Sequence, residues 1–324
     1  MINPALEPRT AVEAFRCCPL CLDDLEPDLQ ADALRCRGCQ HSFERNASNQ
    51  WDLRVPAGVS VRYRDEYRPR SVEAPRRVPV RLEGPCQVPR NRYAGEPPWH
   101  LTRGQITYIP EAKPGQIALD HGCGIGPHRP LLEDLGYIYH GIDIEGAAAQ
   151  DLVDAHALPY RESVFHLVVS VGVLGQLEKP ALAVREISRV LAPGGYLVGT
   201  VPFLEPFNGM GCFNFTHFGL WATLDGAGFD VDAILCIRRW NALRAQLHMG
   251  FDWRMPEGAA DRLSRPFVWM LEAYGALGRR FARNRAQYDR DWINARHSGA
   301  FYFVATKRPE KAEGCTTLDI PVGR

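Results

Sequence analysis

The chain has 324 residues, with 38 Lys and Arg against 38 Asp and Glu. That length accommodates one large core with an accessory module, and the balanced charge gives no global reason to expect a nucleic-acid partner, although a local basic patch is compatible with it. The opening MINPALEPRTAVEAFRCCPLC has no basic segment followed by an apolar stretch, and no run approaches the roughly 18 apolar residues of a spanning helix, so a cytoplasmic protein is expected.

Four of the ten cysteines stand as Cys18-x-x-Cys21 and Cys36-x-x-Cys39, with 14 residues between the pairs. A short hairpin over that distance brings four thiolates around one tetrahedral Zn²⁺. So small a segment buries little apolar surface, and metal binding would supply most of its folding free energy. Four thiolates leave no open coordination position, so the zinc is read as structural. Cys17 and His41 are spare donors, with Cys17 the expected bystander. This ribbon module is assigned residues 1–54.

Residues 55–99 are rich in Pro and Arg, which interrupts both helix and ladder and reads as a linker or wrapping arm. Arg62, Arg64, Arg68, Arg70, Arg76, Arg77, Arg81, Arg90 and Arg92, interleaved with Tyr63, Tyr67 and Tyr93, have the chemistry to hold phosphates or stack on bases. Interspersed acids favour the solvated linker over that alternative.

From Ile117 apolar strands alternate with helical segments, the pattern of an α/β sheet. Strands are expected at 117–122, 137–145, within 151–159, at 165–175, 196–202, 229–237 and 299–309. Helices are expected at 127–136, at 180–195 and after Thr216, a helix-capping residue. A helical insert of about 60 residues, near 240–297, precedes the last strand where a short hairpin would suffice. Its segment PFVWMLEAYGALGRRFARNR carries Phe267, Val268, Met270, Leu271 and Tyr274 and ends basic. A helix packed on the sheet is expected there, with a lid, dimer surface or membrane-skimming helix as alternatives. Residues 311–324 form a tail.

The stretch LDHGCGIGPH places Gly122, Gly124 and Gly126 at the end of the first strand, where a backbone can turn sharply and approach a ligand. A dinucleotide loop reads G-x-G-x-x-G, whereas this one reads G-x-G-x-G after Asp120. An acid opening the loop suits a cofactor with an ammonium and a sulfonium better than a pyrophosphate. Asp143, ending the second strand, can accept ribose hydroxyls.

The ordered set LDHGCGIG, GIDI, DAHALP, FHLVVSVGVL and REISRVLAPGGYLVGTVP resembles the class I S-adenosylmethionine-dependent methyltransferases of the Methyltransferase-11 type over residues 100–240. The resemblance implies a Rossmann-like seven-stranded sheet in a domain spanning 100–310. It places Asp120 and the backbone of Gly122, Gly124 and Gly126 toward the methionine part of the cofactor, and Asp143 on the ribose. Ile144 would pack on the adenine, Asp154 and the Ala155 amide would read its edge, and Ser170 would lie near the amino-acid end. Many relatives read L-E-H after the fourth strand, where this chain has Leu174, Gly175 and Gln176, so that acid and histidine are not available.

The loop after the fifth strand, residues 202–229, is where substrate contacts belong. It is similar to a stretch of bacterial methyltransferases associated with saccharides and small metabolites, with Asn208 where many have His. Glu205 and His217 are the candidate acid–base residues, with His100, His128 and His156 at the expected mouth of the pocket. A methyltransferase for a small-molecule, saccharide or lipid-linked acceptor is therefore expected. The alternatives are a zinc-ribbon-bearing methyltransferase of RNA bases and a non-catalytic scaffold that binds the cofactor.

Overall fold

The N-terminal module is a three-stranded antiparallel sheet of β1 (Leu25–Asp28), β2 (Ala33–Cys36) and β3 (Ser42–Glu44). The computed structural model describes residues 12–28, 31–57, 59, 80–206, 211–237, 239–251 and 255–309. Arg62, Arg64, Arg68, Arg70, Arg76, Arg77, Tyr63, Tyr67 and Asn208 lie outside the described residues.

Two further strands are β4 (Trp51–Asp52), before the linker, and β5 (Arg81–Leu82), within it, and the short helix α1 (Arg103–Ile106) starts in a capping box made by Thr102 and Gln105. The larger part of the chain follows with β6 (Ile117–His121), α2 (Arg129–Asp134), β7 (Ile138–Asp143), β8 (Asp151–Leu152) and β9 (Phe165–Val171). Next come α3 (Pro180–Val190), β10 (Leu191–Pro202), α4 (His217–Gly226) and β11 (Phe229–Cys236). The insert contains α5 (Ala242–Met249), α6 (Glu257–Phe281) and α7 (Arg290–Arg296), and β12 (Ala300–Lys307) ends the described chain's regular structure.

The strands order as β4-β8-β7-β6-β9-β10-β12-β11-β5. The central seven are the expected ones, parallel except for β12, which runs antiparallel to both neighbours. The sheet has nine strands because β4 pairs in parallel with β8 at one edge and β5 with β11 at the other. Every residue of β6 is buried and β9 and β12 are nearly so, which fits their largely apolar sequences, while Asp120, His121 and Ser170 are buried polar residues within them.

One boundary differs from the pattern reading. The helix expected over 180–195 stops at Val190, and Leu191 already pairs with Phe165. A register shift between Leu191 and Tyr196 absorbs Pro193, Gly194 and Gly195, so the Pro-Gly-Gly run is a bulge inside a strand rather than a terminator after a helix. On α3, Ala183, Val184, Ile187 and Val190 are buried at helical spacing, and Glu186 joins them by accepting from the Leu158 amide and pairing with Arg189. On α6, Leu271 is buried and Phe267 and Val268 are half-buried, while Met270 and Tyr274 are exposed.

The N-terminal module is tied to the sheet by a shared apolar cluster, in which Val12, Phe43, Trp51 and Leu53 join Leu158, Tyr160 and Phe165, and by polar contacts. Arg16 forks onto the fully buried Asp151 with bonds of 3.0 and 2.8 Å, and Asp151 also meets His140 and the Tyr160 hydroxyl. Gln50 donates to the carbonyls of Gly146 and Ala149, and Arg54, clamped by Asp52, donates to that of Ile144. Arg90, from the linker, pairs with Asp232 and lies over the Tyr196 ring.

Candidate active site and metal centre

The order of strands reverses between β6 and β9: the chain moves outward from β6 through β7 to β8, then returns to the other side of β6. Open α/β sheets bind ligands in the crevice at the carboxyl ends of such strands. The glycine loop begins there. Gly122, Gly124 and Gly126 have φ of +73°, +54° and +78°, a region open to glycine at little cost. A Cβ on Gly122 would strike Val173, whereas one on Gly124 would meet nothing within 4 Å. The loop therefore presents bare backbone at Gly124 to open space, a cradle suited to close approach by a cofactor.

Around this cradle the acids have definite partners. Asp143 accepts from the Gly124 amide at 2.8 Å and the Glu145 amide at 3.1 Å, so the end of β7 is tied to the loop. Ile144 beside it is 55% exposed, an apolar surface facing solvent where the resemblance puts an adenine. Asp154 accepts from both the amide and Nδ1 of His156, and the histidine holds its carboxyl below the usual range; Ala155 between them is half-buried.

Asp120 is fully buried, and its oxygens face Nδ1 of His128 at 3.2 Å and the Tyr139 hydroxyl at 3.1 Å. The carboxylate thus lies beneath the loop with both oxygens engaged. His121, on the opposite face of β6, meets the buried Ser170 hydroxyl at 3.1 Å, and burial lowers its imidazole to about 4. His121 and His128 each keep a buried Nε2 without a hydrogen-bond partner. Pattern reading passed over His121 as a spacer of the motif and weighed His128 only for the pocket mouth; the alternation of strand faces was the available signal.

The two acid–base candidates lie along the loop after β10 and the start of α4. Glu205 accepts from the Trp240 indole at 2.5 Å, and burial raises its carboxyl. His217 opens α4 after Thr216, whose hydroxyl accepts from the Gly219 amide, and its ring packs edge-on against Trp292 and Phe301. Both are braced by aromatic residues of the insert or the last strand.

At the other end of the chain, the ligand atoms of Cys18, Cys21, Cys36 and Cys39 all lie within 4.8 Å of one another. Sulfur pairs approach to 3.6 Å (Cys18 and Cys39) and 3.4 Å (Cys21 and Cys36), and the amides of Leu20 and Cys39 point at Cys18 and Cys36. Four soft donors converging at this spacing, with amides directed at the sulfurs, fit a zinc ion. Cys17 stands apart, buried, its thiol pushed up to about 11 by burial, and His41 packs on Phe43.

Residues 119–199 match the family described as a methyltransferase domain, Methyltransf_11. Probable tRNA methyltransferase 9B of Mus musculus is 32% identical over 111 residues, 31% of this chain and 25% of that protein. The 2-methyl-6-phytyl-1,4-hydroquinone methyltransferase of Synechocystis is 34% identical over 102 residues, 26% of this chain and 31% of that protein. The chain thus matches about a quarter to a third of the length of these relatives. Among solved structures, a complex of the Haloferax volcanii Trm112 methyltransferase activator with a methyltransferase aligns over 66% of this chain and 91% of that one, at 17% identity and a TM-score of 0.44.

Proposed function

We propose that this chain, whose residues 119–199 match a methyltransferase domain family, transfers methyl groups from S-adenosylmethionine to RNA. The similarity of 111 residues to probable tRNA methyltransferase 9B is the observation that carries the acceptor class. The sequence alone ranked a small-molecule, saccharide or lipid-linked acceptor first; the relatives favour the RNA alternative. The linker arginines and tyrosines supply the charges and stacking faces that a phosphate backbone and unstacked bases require. A lipid-like acceptor is the second reading, supported by the similarity to the hydroquinone methyltransferase.

S-adenosylmethionine supplies an electrophilic methyl group for in-line displacement, so the protein's contribution is chiefly positioning. In this reading the open backbone at Gly124 admits the cofactor, Asp143 holds the ribose, Ile144 covers the adenine, and Asp154 with Ala155 reads its edge. Burial makes the Glu205 carboxylate a stronger base, so of the two acid–base candidates we assign it the proton from an acceptor. Zinc at the four cysteines is structural.

The test is transfer of labelled methyl into fractionated cell extract, with Asp143→Ala as control. Label in tRNA or rRNA supports the reading, label in a lipid or metabolite fraction replaces it with the second, and cofactor binding without transfer to any fraction leaves a scaffold. Asp143→Ala is expected to weaken the cofactor by about 1.5 to 3 kcal/mol, the scale of hydrogen bonds to a charged group, as read by calorimetry.

A further inference from the structure

We propose that His128, oriented by Asp120, receives the amino-acid end of S-adenosylmethionine. The inference rests on the cofactor reading above and adds a binding residue to it.

Its starting point is that Asp120 is buried beneath the loop with both oxygens engaged. The Tyr139 hydroxyl donates to one oxygen. An ionised carboxylate only accepts, so the contact of its other oxygen with His128 Nδ1 at 3.2 Å calls for a proton on that nitrogen. Taken as the neutral tautomer, the ring presents Nε2 as an acceptor. It is buried, it has no partner, and the side chain is 6% exposed.

A buried acceptor held in a fixed direction by a buried carboxylate is costly unless a donor arrives to meet it. His128 lies two residues beyond Gly126 and immediately before α2, at the carboxyl end of β6. It is close enough to act on His100, whose imidazole is lowered first by burial and then by His128. The donor that S-adenosylmethionine brings to the glycine loop is the ammonium of its methionine part. Asp120 therefore acts on that ammonium through the histidine, adding its negative charge from behind, while Tyr139 keeps the carboxylate in place.

Calorimetry with two probes separates this role from a structural one. S-adenosylhomocysteine carries the ammonium; 5′-methylthioadenosine has the same adenosine and sulfur but lacks the amino-acid end. His128→Ala is expected to weaken S-adenosylhomocysteine about tenfold while leaving methylthioadenosine within twofold, and Tyr139→Phe to shift the first probe in the same direction by less. His128→Gln, which retains an accepting oxygen, should recover part of the loss and serves if the alanine variant does not fold. Equal losses on both probes, or no loss on either, overturn the proposal. Asp143→Ala is run alongside: if it leaves both probes unchanged, the cofactor reading of the loop fails, an outcome distinguishable from failure at His128 alone.

Discussion

Around the four cysteines, β1 has no fully buried residue and β3 buries only Phe43, whereas in the large sheet β6 is buried at every position and β12 at all but one. One chain thus holds its fold by two means. The sheet gains from apolar surface removed from water, which spreads stability over dozens of side chains. The ribbon concentrates it in a few bonds, so it should be brittle where the sheet is tolerant. Between them the apolar core is continuous, with Val12, Phe43, Trp51 and Leu53 in one buried cluster with Leu158, Tyr160 and Phe165, and beside it lies a polar seam, the Arg16 fork on Asp151 and the Gln50 amide on two carbonyls; together they decide whether the two parts respond separately.

Metal removal should produce the largest effect. Structural zinc sites in small domains bind with about 10 to 16 kcal/mol of apparent free energy, so Cys36→Ser should release zinc and open residues 12–57 to protease while β6 to β12 stay protected. Loss of protection throughout, in limited proteolysis with metal analysis, would show that both parts form one cooperative unit. Next comes the seam's buried charge. Asp151→Ala leaves the buried Arg16 with only the exposed Glu13 at 3.5 Å as counter-charge, with an expected cost of about 3 to 5 kcal/mol in denaturant unfolding. A loss under about 1 kcal/mol would mean that the ribbon docks by apolar contact and not by this pair.

Acid should find the sheet before the ribbon's surface carboxylates matter. His121 is lowered to about 4 when folded, chiefly by burial, while in the unfolded chain it titrates near 6.5. Between those values the unfolded state binds more protons, so the contribution is whole above pH about 6.5 and is lost as pH falls toward 4, on the order of 3 kcal/mol. His121→Leu should flatten the thermal midpoint across that window; an unchanged slope would assign the acid sensitivity elsewhere. The smallest effect is expected at Gln50→Ala, which deletes the two bonds to Gly146 and Ala149 and should cost roughly 1 to 2 kcal/mol. Because that loop follows Asp143, a parallel weakening of S-adenosylhomocysteine would show the ribbon supporting the cofactor site.

Much of this arrangement was legible in advance because it rests on local rules. Apolar runs, the glycine spacing and the cysteine spacing each announce themselves within a dozen residues, and the seven central strands and the cysteine cluster follow. Strands of two residues, as at Trp51 and Arg81, have no period to detect and exist only because a sheet edge is there to pair with. The Val190 to Leu191 boundary was missed because Leu191 is equally apolar in a helix or a strand, and its pairing with Phe165 is a long-range fact. At the candidate site, the sequence singles out Asp120 but not that its oxygens are engaged by His128 and Tyr139, since spacing does not reveal which neighbours a fold brings beneath a loop.

The nine-stranded order also bears on how the chain is made. Both outermost strands belong to segments before residue 100, yet β4 finds its partner about 100 residues later in the chain and β5 about 150 residues later. On a ribosome these segments emerge first and pair late, so closing the sheet's margins must follow assembly of its middle. A shortened protein beginning at residue 100 would keep the seven central strands but leave β8 and β11 with open hydrogen-bonding edges, the surfaces through which sheets join one another into aggregates.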